Sequence, residues 1–292
     1  MTTRELLSEP PASHAAAVAG AAQASPWLAV RTLCTRELVR FFRQRNRVFG
    51  AIGQPIVFWI LFGAGLGPSF RWGGGNGGEM SYAEYFFPGT LVLILLFTAI
   101  FATISIIEDR REGFLQSVLV APIPRWSMVL GKLLGGTLIA MIQGLIFLAL
   151  GLALGPWLGF HFGVSAASIG QAVALLFVIA LALTGLGFVM AWRLDSTQGF
   201  HALMSVFLMP MWLLSGAFFP AASGWLGWIV RLNPLTYGVA GLRQLLYAGG
   251  DASPAAALPS PALCWCVTLA FAAITFAASC HAAGKRTTGD LL

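Results

Sequence analysis

Charge is scarce in this chain. Only 10% of its 292 residues are Asp, Glu, Lys or Arg, where a soluble domain carries about 25%. Hydrophobic residues make up 58%, and the mean hydropathy is +0.80. A chain this apolar cannot cover itself with a water-facing surface, which excludes an ordinary soluble domain and points to an integral membrane protein. A phosphate-binding loop is also missing. No GxxxxGK[ST] occurs, because Gly131-Lys132 is followed by Leu133 and has no glycine five residues earlier. The chain therefore cannot hold ATP by the usual loop. No two histidines or carboxylates fall at metal or acid–base spacing within one helix. No GxSxG motif orients a nucleophile. Of the four cysteines, Cys264 and Cys266 form a CxC without a second pair of ligands, and with Cys34 and Cys280 they read as small apolar residues. We expect no catalytic residue, no metal and no cofactor in this chain.

The first residues lack what a signal peptide needs. The stretch EPPASHAAAVAGAAQASP has alanine in place of a leucine-rich core, and Glu5, Glu9 and two prolines precede it. Residues 1–25 read as a disordered cytosolic tail.

What is present is a set of long apolar runs. A membrane-spanning helix needs roughly 20 such residues. Six runs qualify, at about 49–67, 85–107, 128–154, 169–192, 200–220 and 262–284. Each is apolar on all sides, so each is expected to be a helix and not a barrel strand. The fold class is all-α integral membrane. With the N-terminus inside, 14 Lys and Arg lie on the cytosolic side and 3 (Arg71, Arg231, Arg243) on the outer side. The positive-inside rule thus places both termini in the cytosol, including the tail at 287–292. The net charge of +6 reflects this topology, and no nucleic-acid partner is expected.

Three segments do not fit a simple span. Trp225–Leu246 is long enough but carries Arg231, Asn233, Pro234 and Arg243. A central arginine costs about 2.5–3.5 kcal/mol on insertion, and Asn-Pro breaks a helix. This segment is expected to dip into the outer leaflet and return as two short helices. Trp27–Arg47 places Arg36, Arg40, Arg43 and Arg47 on one face, with Trp27, Val30, Cys34, Leu38 and Phe41 opposite. It reads as an amphipathic helix over 27–47, lying in the interface with its arginines toward anionic head groups. The third segment, EDRREGFLQSVLVAPIPRWSMVLGK at 108–132, begins with the charges Glu108–Glu112 at the end of the second span, read as a solvated cluster. Gly113 allows a turn, Phe114–Val120 forms about two turns of helix, and Pro122 and Pro124 stop it. Apolar residues framed by charge at the cytosolic surface suit a docking face.

In this third segment the order E-x-x-x-E-G-F-L-x-x-x-L-x-x-P-I, followed by L-G-K and a long span, resembles the membrane subunit of ABC-2 type ATP-binding-cassette exporters. EYFFPG at 84–89 is similar to that family's entry into its second span. NPLTYGVAGLR at 233–243 is similar to its motif between spans five and six, and the basic helix at 27–47 to its membrane-surface helix. The resemblance runs over residues 26–286 and implies an ABC-2 transmembrane domain with no catalysis of its own. It implies a second permease copy, as homodimer or heterodimer, and a separate ABC ATPase subunit that binds ATP and Mg. It also implies that Phe114–Val120 is the coupling helix, with Glu108, Arg111, Glu112, Phe114, Leu115, Val118 and Leu119 at the ATPase contact. Asn233, Pro234, Tyr237 and Arg243 would form the outer re-entrant motif.

The fifth run, FHALMSVFLMPMWLLSGAFFP, is rich in Met and Phe. Its residues Met204, Phe207, Met211 and Trp212 read either as helix packing or as the lining for an adaptable, amphipathic substrate. An amphipathic drug, a lipid or a lipid-linked molecule is the expected cargo, out of the cytoplasm of a bacterial or archaeal cell through its inner membrane. A polysaccharide or lipo-oligosaccharide exporter is the alternative within transport. A membrane-bound enzyme or passive channel is the alternative outside it. Glycines 63, 65, 67, 185 and 187 permit close helix contacts, within the subunit or between subunits.

Overall fold

A computed structural model describes residues 25–67, 72–73, 79–219, 224–247 and 258–284. The tails expected at 1–25 and 287–292 lie, apart from Ser25, outside these residues. The described chain is helical except for a two-residue antiparallel pair, β1 (Trp72–Gly73) and β2 (Glu79–Met80). Ten helices follow in order: α1 (Pro26–Arg43), α2 (Arg45–Leu66), α3 (Tyr82–Arg111), α4 (Phe114–Val120), α5 (Arg125–Leu154), α6 (Ala166–Trp192), α7 (Thr197–Trp212), α8 (Trp225–Leu232), α9 (Pro234–Tyr247) and α10 (Pro261–Gly284).

Six of these helices are long and apolar enough to cross a membrane: Val48–Leu66, Tyr82–Arg111, Arg125–Leu158, Ala166–Trp192, Thr197–Ala217 and Pro261–Gly284. The protein is an all-α, multi-pass membrane protein, and all six apolar runs of the sequence are found as helices. The boundaries have local causes. Ser81 caps α3 by accepting from the Glu84 amide at 3.2 Å. Ser165 and Ser168 form a reciprocal capping box at α6, and Ser196 caps α7. Gly113 ends α3 and starts α4 with a φ of 74°, a conformation that costs glycine little. The α7 helix ends in a single wide turn over Leu213–Ala217, with Gly216 at φ 74°.

The centre of the bundle is α3. At about 1.5 Å per residue its 30 residues are long enough to cross a bilayer core and project beyond it. Nearly every side chain from Tyr82 to Ile107 is buried, and α2, α5, α6 and α7 pack around it. Thr90, Thr98, Thr103 and Thr184 satisfy their hydroxyls by donating to carbonyls one turn back. In lipid, apolar burial drives helix association only weakly, and close contact of small residues matters more. Gly185 and Gly187 abut Thr275 and Thr103, and Gly63 abuts Ala83, so these are contacts within the chain. Gly65 and Gly67 face open space.

Two ends of the bundle are distinct. The basic end gathers α1, α4, the end of α3 and the start of α5. The far end is organised by EYFFPG at 84–89. Around it, Trp59 Nε1 donates to the Ala83 carbonyl, Trp212 Nε1 to Gly89, Tyr82 to Phe218, Tyr85 to Gly216 and Tyr247 to Glu84. The segment at 225–247 is two helices, broken at Asn233. The Asn233 side chain donates to the Met211 carbonyl and accepts from the Leu235 amide at 3.0 Å, and the Tyr237 hydroxyl donates to the Arg231 carbonyl at 2.9 Å. Trp225, Trp228 and Leu232 stay exposed on α8, while α9 is largely buried.

One boundary differs from the sequence expectation. The basic helix does not run over 27–47. It stops at Arg43, where Gln44 (φ −98°, ψ 77°) leaves helical geometry, and Arg45 and Arg47 belong to the backbone of α2. The alternating charge that suggests one continuous face carries no signal for a one-residue break. The Arg47 side chain lies outside the described residues.

Candidate functional site

The basic end holds a buried ionic cluster. Arg36 and Arg40 are one helical turn apart on α1, so they share a face. Both turn toward Asp109 near the end of α3, which is fully buried. Arg36 binds it with both nitrogens, at 2.7 and 3.0 Å. Arg40 also reaches Asp109, and its second nitrogen bonds Glu108 at 3.0 Å and Glu112 at 3.1 Å. From α5, Lys132 donates to Asp109 and, at 2.8 Å, to Glu37 of α1. Three cations and four carboxylates from three helices thus neutralise one another almost completely. Isolated buried charges would be costly, whereas here each has partners. Burial works to lower the Arg36 pKa, but the hydrogen bond and charge of Asp109 outweigh it, and the guanidinium is held more firmly protonated than usual.

This arrangement corrects two sequence readings. The charges at 108–112 are not a solvated cluster, since Asp109 is the buried centre of a network. The arginine face of α1 does not point at head groups. Arg36 and Arg40 turn inward, while Arg43 is exposed on the rim of an open cleft of about 560 Å³ shared with Val39, Gln44 and Glu112. Close approach makes this possible. Gly131 and Gly135, four apart on α5, lie against Val30, Leu33, Cys34 and Glu37 of α1. A methyl group at Gly135 would stand 2.6 Å from the Glu37 Cβ. The GxxxG spacing of Gly131 and Gly135 is visible in the sequence, but the helix it receives lies about a hundred residues earlier in the chain and is not named by it.

The other side of the α3 terminus grips the α6–α7 turn. Arg110 donates to the Trp192 carbonyl at 2.6 Å and to Asp195 at 2.9 Å, and Arg111 donates to the Asp195 carbonyl at 2.7 and 3.1 Å. Asp195 therefore pairs with Arg110 of α3, not with its neighbour Arg193.

The short helix α4 is anchored to this cluster. The Phe114 ring lies 3.6 Å beneath the Arg36 guanidinium. Leu115 is only 1% exposed, and Val118 and Leu119 pack partly against the core. Leu115 is thus not on an outward docking face. The outward face is Gln116, Ser117 and Val120, the last 83% exposed. These positions follow the three-to-four spacing of one helical stripe. The apolar residues of FLQSVLV serve mainly to seat the helix, which the segment alone does not reveal.

The four residues proposed as a lining on α7 do not share a face. Met204 and Trp212 are buried, with Leu208 between them, and Met211 is partly buried. Phe207 points outward with Leu203, Val206 and Pro210. At the far end, Arg243 is buried and its Nη2 donates to the carbonyls of Tyr85 and Gly216, at 3.2 and 3.1 Å. Among the described residues no three His, Cys, Asp or Glu side chains come together as a metal site.

Comparison with known proteins places these features in context. Residues 29–247 match the family model described as ABC-2 type transporter, so the match takes in α1 through α9 almost whole and stops before α10. The chain is 28% identical over 217 residues to a putative transport permease, ycf38, of Cyanophora paradoxa, covering 73% of this chain and 72% of that protein. It is 26% identical over 224 residues to the inner membrane transport permease YadH of Escherichia coli K12, covering 74% and 82%. A probable multidrug ABC transporter permease of the same organism, YbhR, is 26% identical over 162 residues, and this stretch is 54% of the chain but only 42% of that relative. With six spanning helices, a charged terminus on the second and a family match over most of its length, this chain belongs to the ABC-2 type transporter family.

Proposed function

We propose that this chain is the membrane-spanning permease of an ATP-driven exporter for an amphipathic substrate. ATP and Mg²⁺ are bound by a separate ATPase subunit, and the permease works as a pair of copies. The basic end faces the cytosol of a bacterial or archaeal cell, and the protein sits in its inner membrane. The excess of Lys and Arg at that end supports the orientation, and the name of the relative YadH, an inner membrane transport permease, supports the membrane.

One observation carries the reading. The helix α4 presents Gln116, Ser117 and Val120 outward while its opposite side is fixed to the ionic cluster. Any force on this surface passes through Phe114 and Arg36 into α1, and through Asp109 and Lys132 into α3 and α5. Because α3 is buried along its length, displacement at its charged end moves the bundle as a packed unit. The outward stripe of Leu203, Val206, Phe207 and Pro210 on α7 is apolar and uncharged, which suits an amphiphile or the second copy better than a charged solute.

The test compares two substitutions. Val120→Asp should leave the permease folded and abolish co-purification with its ATPase. Leu115→Asp should unfold the basic end itself. A Val120→Asp variant that binds and stimulates the ATPase like the parent would remove α4 as the coupling surface.

A further inference from the structure

A second buried acid lies at the opposite end of α3. Glu84 is fully buried in its first turn. One carboxylate oxygen, Oε1, accepts from the His161 amide at 2.7 Å. The other, Oε2, has no hydrogen-bond partner among the described residues. The His161 imidazole stands beside it, with Nδ1 3.9 Å away on a side chain that is 70% exposed. His161 lies in the loop at 159–165 that joins α5 to α6. That loop is fixed to the bundle by two backbone amides, His161 to Glu84 and Gly163 to the Leu246 carbonyl at 3.1 Å. Phe160 and Phe162 insert on either side, packing on Trp59, Phe87 and Tyr247. The chain also uses the Glu84 backbone, whose carbonyl accepts from Tyr247 at 2.8 Å.

We propose that Glu84 is a proton-binding site that latches the 159–165 loop over the far end of the bundle. An ionised carboxylate with one amide donor and an orphan oxygen is poorly stabilised without water. The same burial costs the neutral acid far less than the ion. Its proton resides on Oε2, and Oε1 keeps the His161 amide bond. When the loop lifts, the Glu84 carboxyl meets water and releases that proton to solvent, with His161 at the mouth as the first acceptor. The remaining groups near the site do not compete. They are the phenols of Tyr82, Tyr85 and Tyr247 and the guanidinium of Arg243, side-chain types that do not change charge near neutral pH. The His161 imidazole is of a type that can change charge near neutral pH, but its attraction for a carboxylate is weakened by its exposure. Because the closed form holds the proton and the open form gives it up, closure strengthens as pH falls. In the orientation proposed above this end faces outside, and the proton is drawn from that compartment.

The full chain in lipid nanodiscs gives the test. Hydrogen exchange of the His161 and Gly163 amides, corrected for intrinsic pH dependence, reads how often the loop opens. Opening should rise with pH, by up to about tenfold per unit for one linked proton. Glu84→Gln keeps an acceptor for the His161 amide and cannot ionise, so its loop should stay protected and pH-independent. His161→Gln retains the backbone amide and should keep the pH dependence. A carboxylic-acid carbonyl band in the infrared spectrum at neutral pH, lost in Glu84→Gln, reports the bound proton directly. Exchange in the unmodified chain that does not change with pH overturns the proposal, and this result does not depend on any variant folding. The same pH dependence persisting in Glu84→Gln also overturns it, by moving the proton to His161.

Discussion

Lys132 and Asp109 hydrogen-bond to each other at the buried centre of the basic end, and no water-exposed atom is needed to balance either charge. Asp109 is shared among Lys132, Arg36 and Arg40, while Lys132 also holds Glu37. The consequence is asymmetry. One carboxylate serves three cations, so removing it breaks ion pairs to all three at once, whereas removing Lys132 leaves Asp109 with both arginines.

Asp109→Asn should therefore be the most damaging single change in the cluster, costing roughly 3–5 kcal/mol as breaking a buried ion pair does. Lys132→Met should cost less, because Asp109 keeps two arginines. Adding Glu37→Gln to Lys132→Met removes the carboxylate that has lost its lysine, and should restore part of the loss. Thermal unfolding of the parent and the three purified variants checks the order. If Asp109→Asn is no worse than Lys132→Met, Asp109 is not the hub.

The packing of α1 on α5 makes a separate prediction. Gly135→Val would drive a branched side chain into Glu37 and the Cys34 carbonyl. The helix α1 must then lift, and Cys34 reports it. Burial, and next the negative charge of Glu37, push the Cys34 thiol pKa up, so little thiolate forms at neutral pH and alkylation is slow. Lifting α1 exposes the thiol and relieves the larger effect, its burial, while Glu37 moves with it on the same helix. In a background with Cys264, Cys266 and Cys280 replaced by alanine, Gly135→Val should speed alkylation of Cys34 several-fold at fixed pH. An unchanged rate would mean that α1 is not held by this contact.

The two ends of the molecule differ in how much of them the sequence reveals. The spans are legible because a bilayer demands about 20 apolar residues in a row, and that demand is local. The break at Asn233–Pro234 is legible for the same reason, since proline acts on its own neighbours. The ionic cluster is not. Arg36 and Arg40 advertise a shared face, but their partner lies 73 and 69 residues away, and nothing in either segment names the other. The same holds for Leu115. FLQSVLV shows two turns of apolar helix and not which turn faces the protein, so the buried residue could be taken for the docking one. Glu84 stands beside an apolar run, and only the fold shows that a loop 77 residues on closes over it.

The last prediction concerns Arg243, which ties α9 to the wide turn after α7. Its Nη2 donates to Tyr85 and Gly216, and the guanidinium stacks 4.0 Å from the Tyr85 ring centroid. Arg243→Met retains the volume and removes the charge. It loses hydrogen bonds from a charged donor, each worth about 1.5–3 kcal/mol, and regains the cost of burying a cation that has no carboxylate beside it. The net loss should be small, because the Tyr85 hydroxyl still satisfies the Gly216 carbonyl at 2.9 Å. Arg243→Ala loses the same bonds and leaves a cavity as well, so it should be clearly worse. Arg243→Lys should fall between them, since an ammonium cannot stack on the ring and bond both carbonyls as a planar guanidinium does. Apparent melting temperatures in one detergent give the order Met, Lys, Ala from most to least stable. A methionine variant as unstable as alanine would show that the polar ties of Arg243, and not its volume, hold α9 in place.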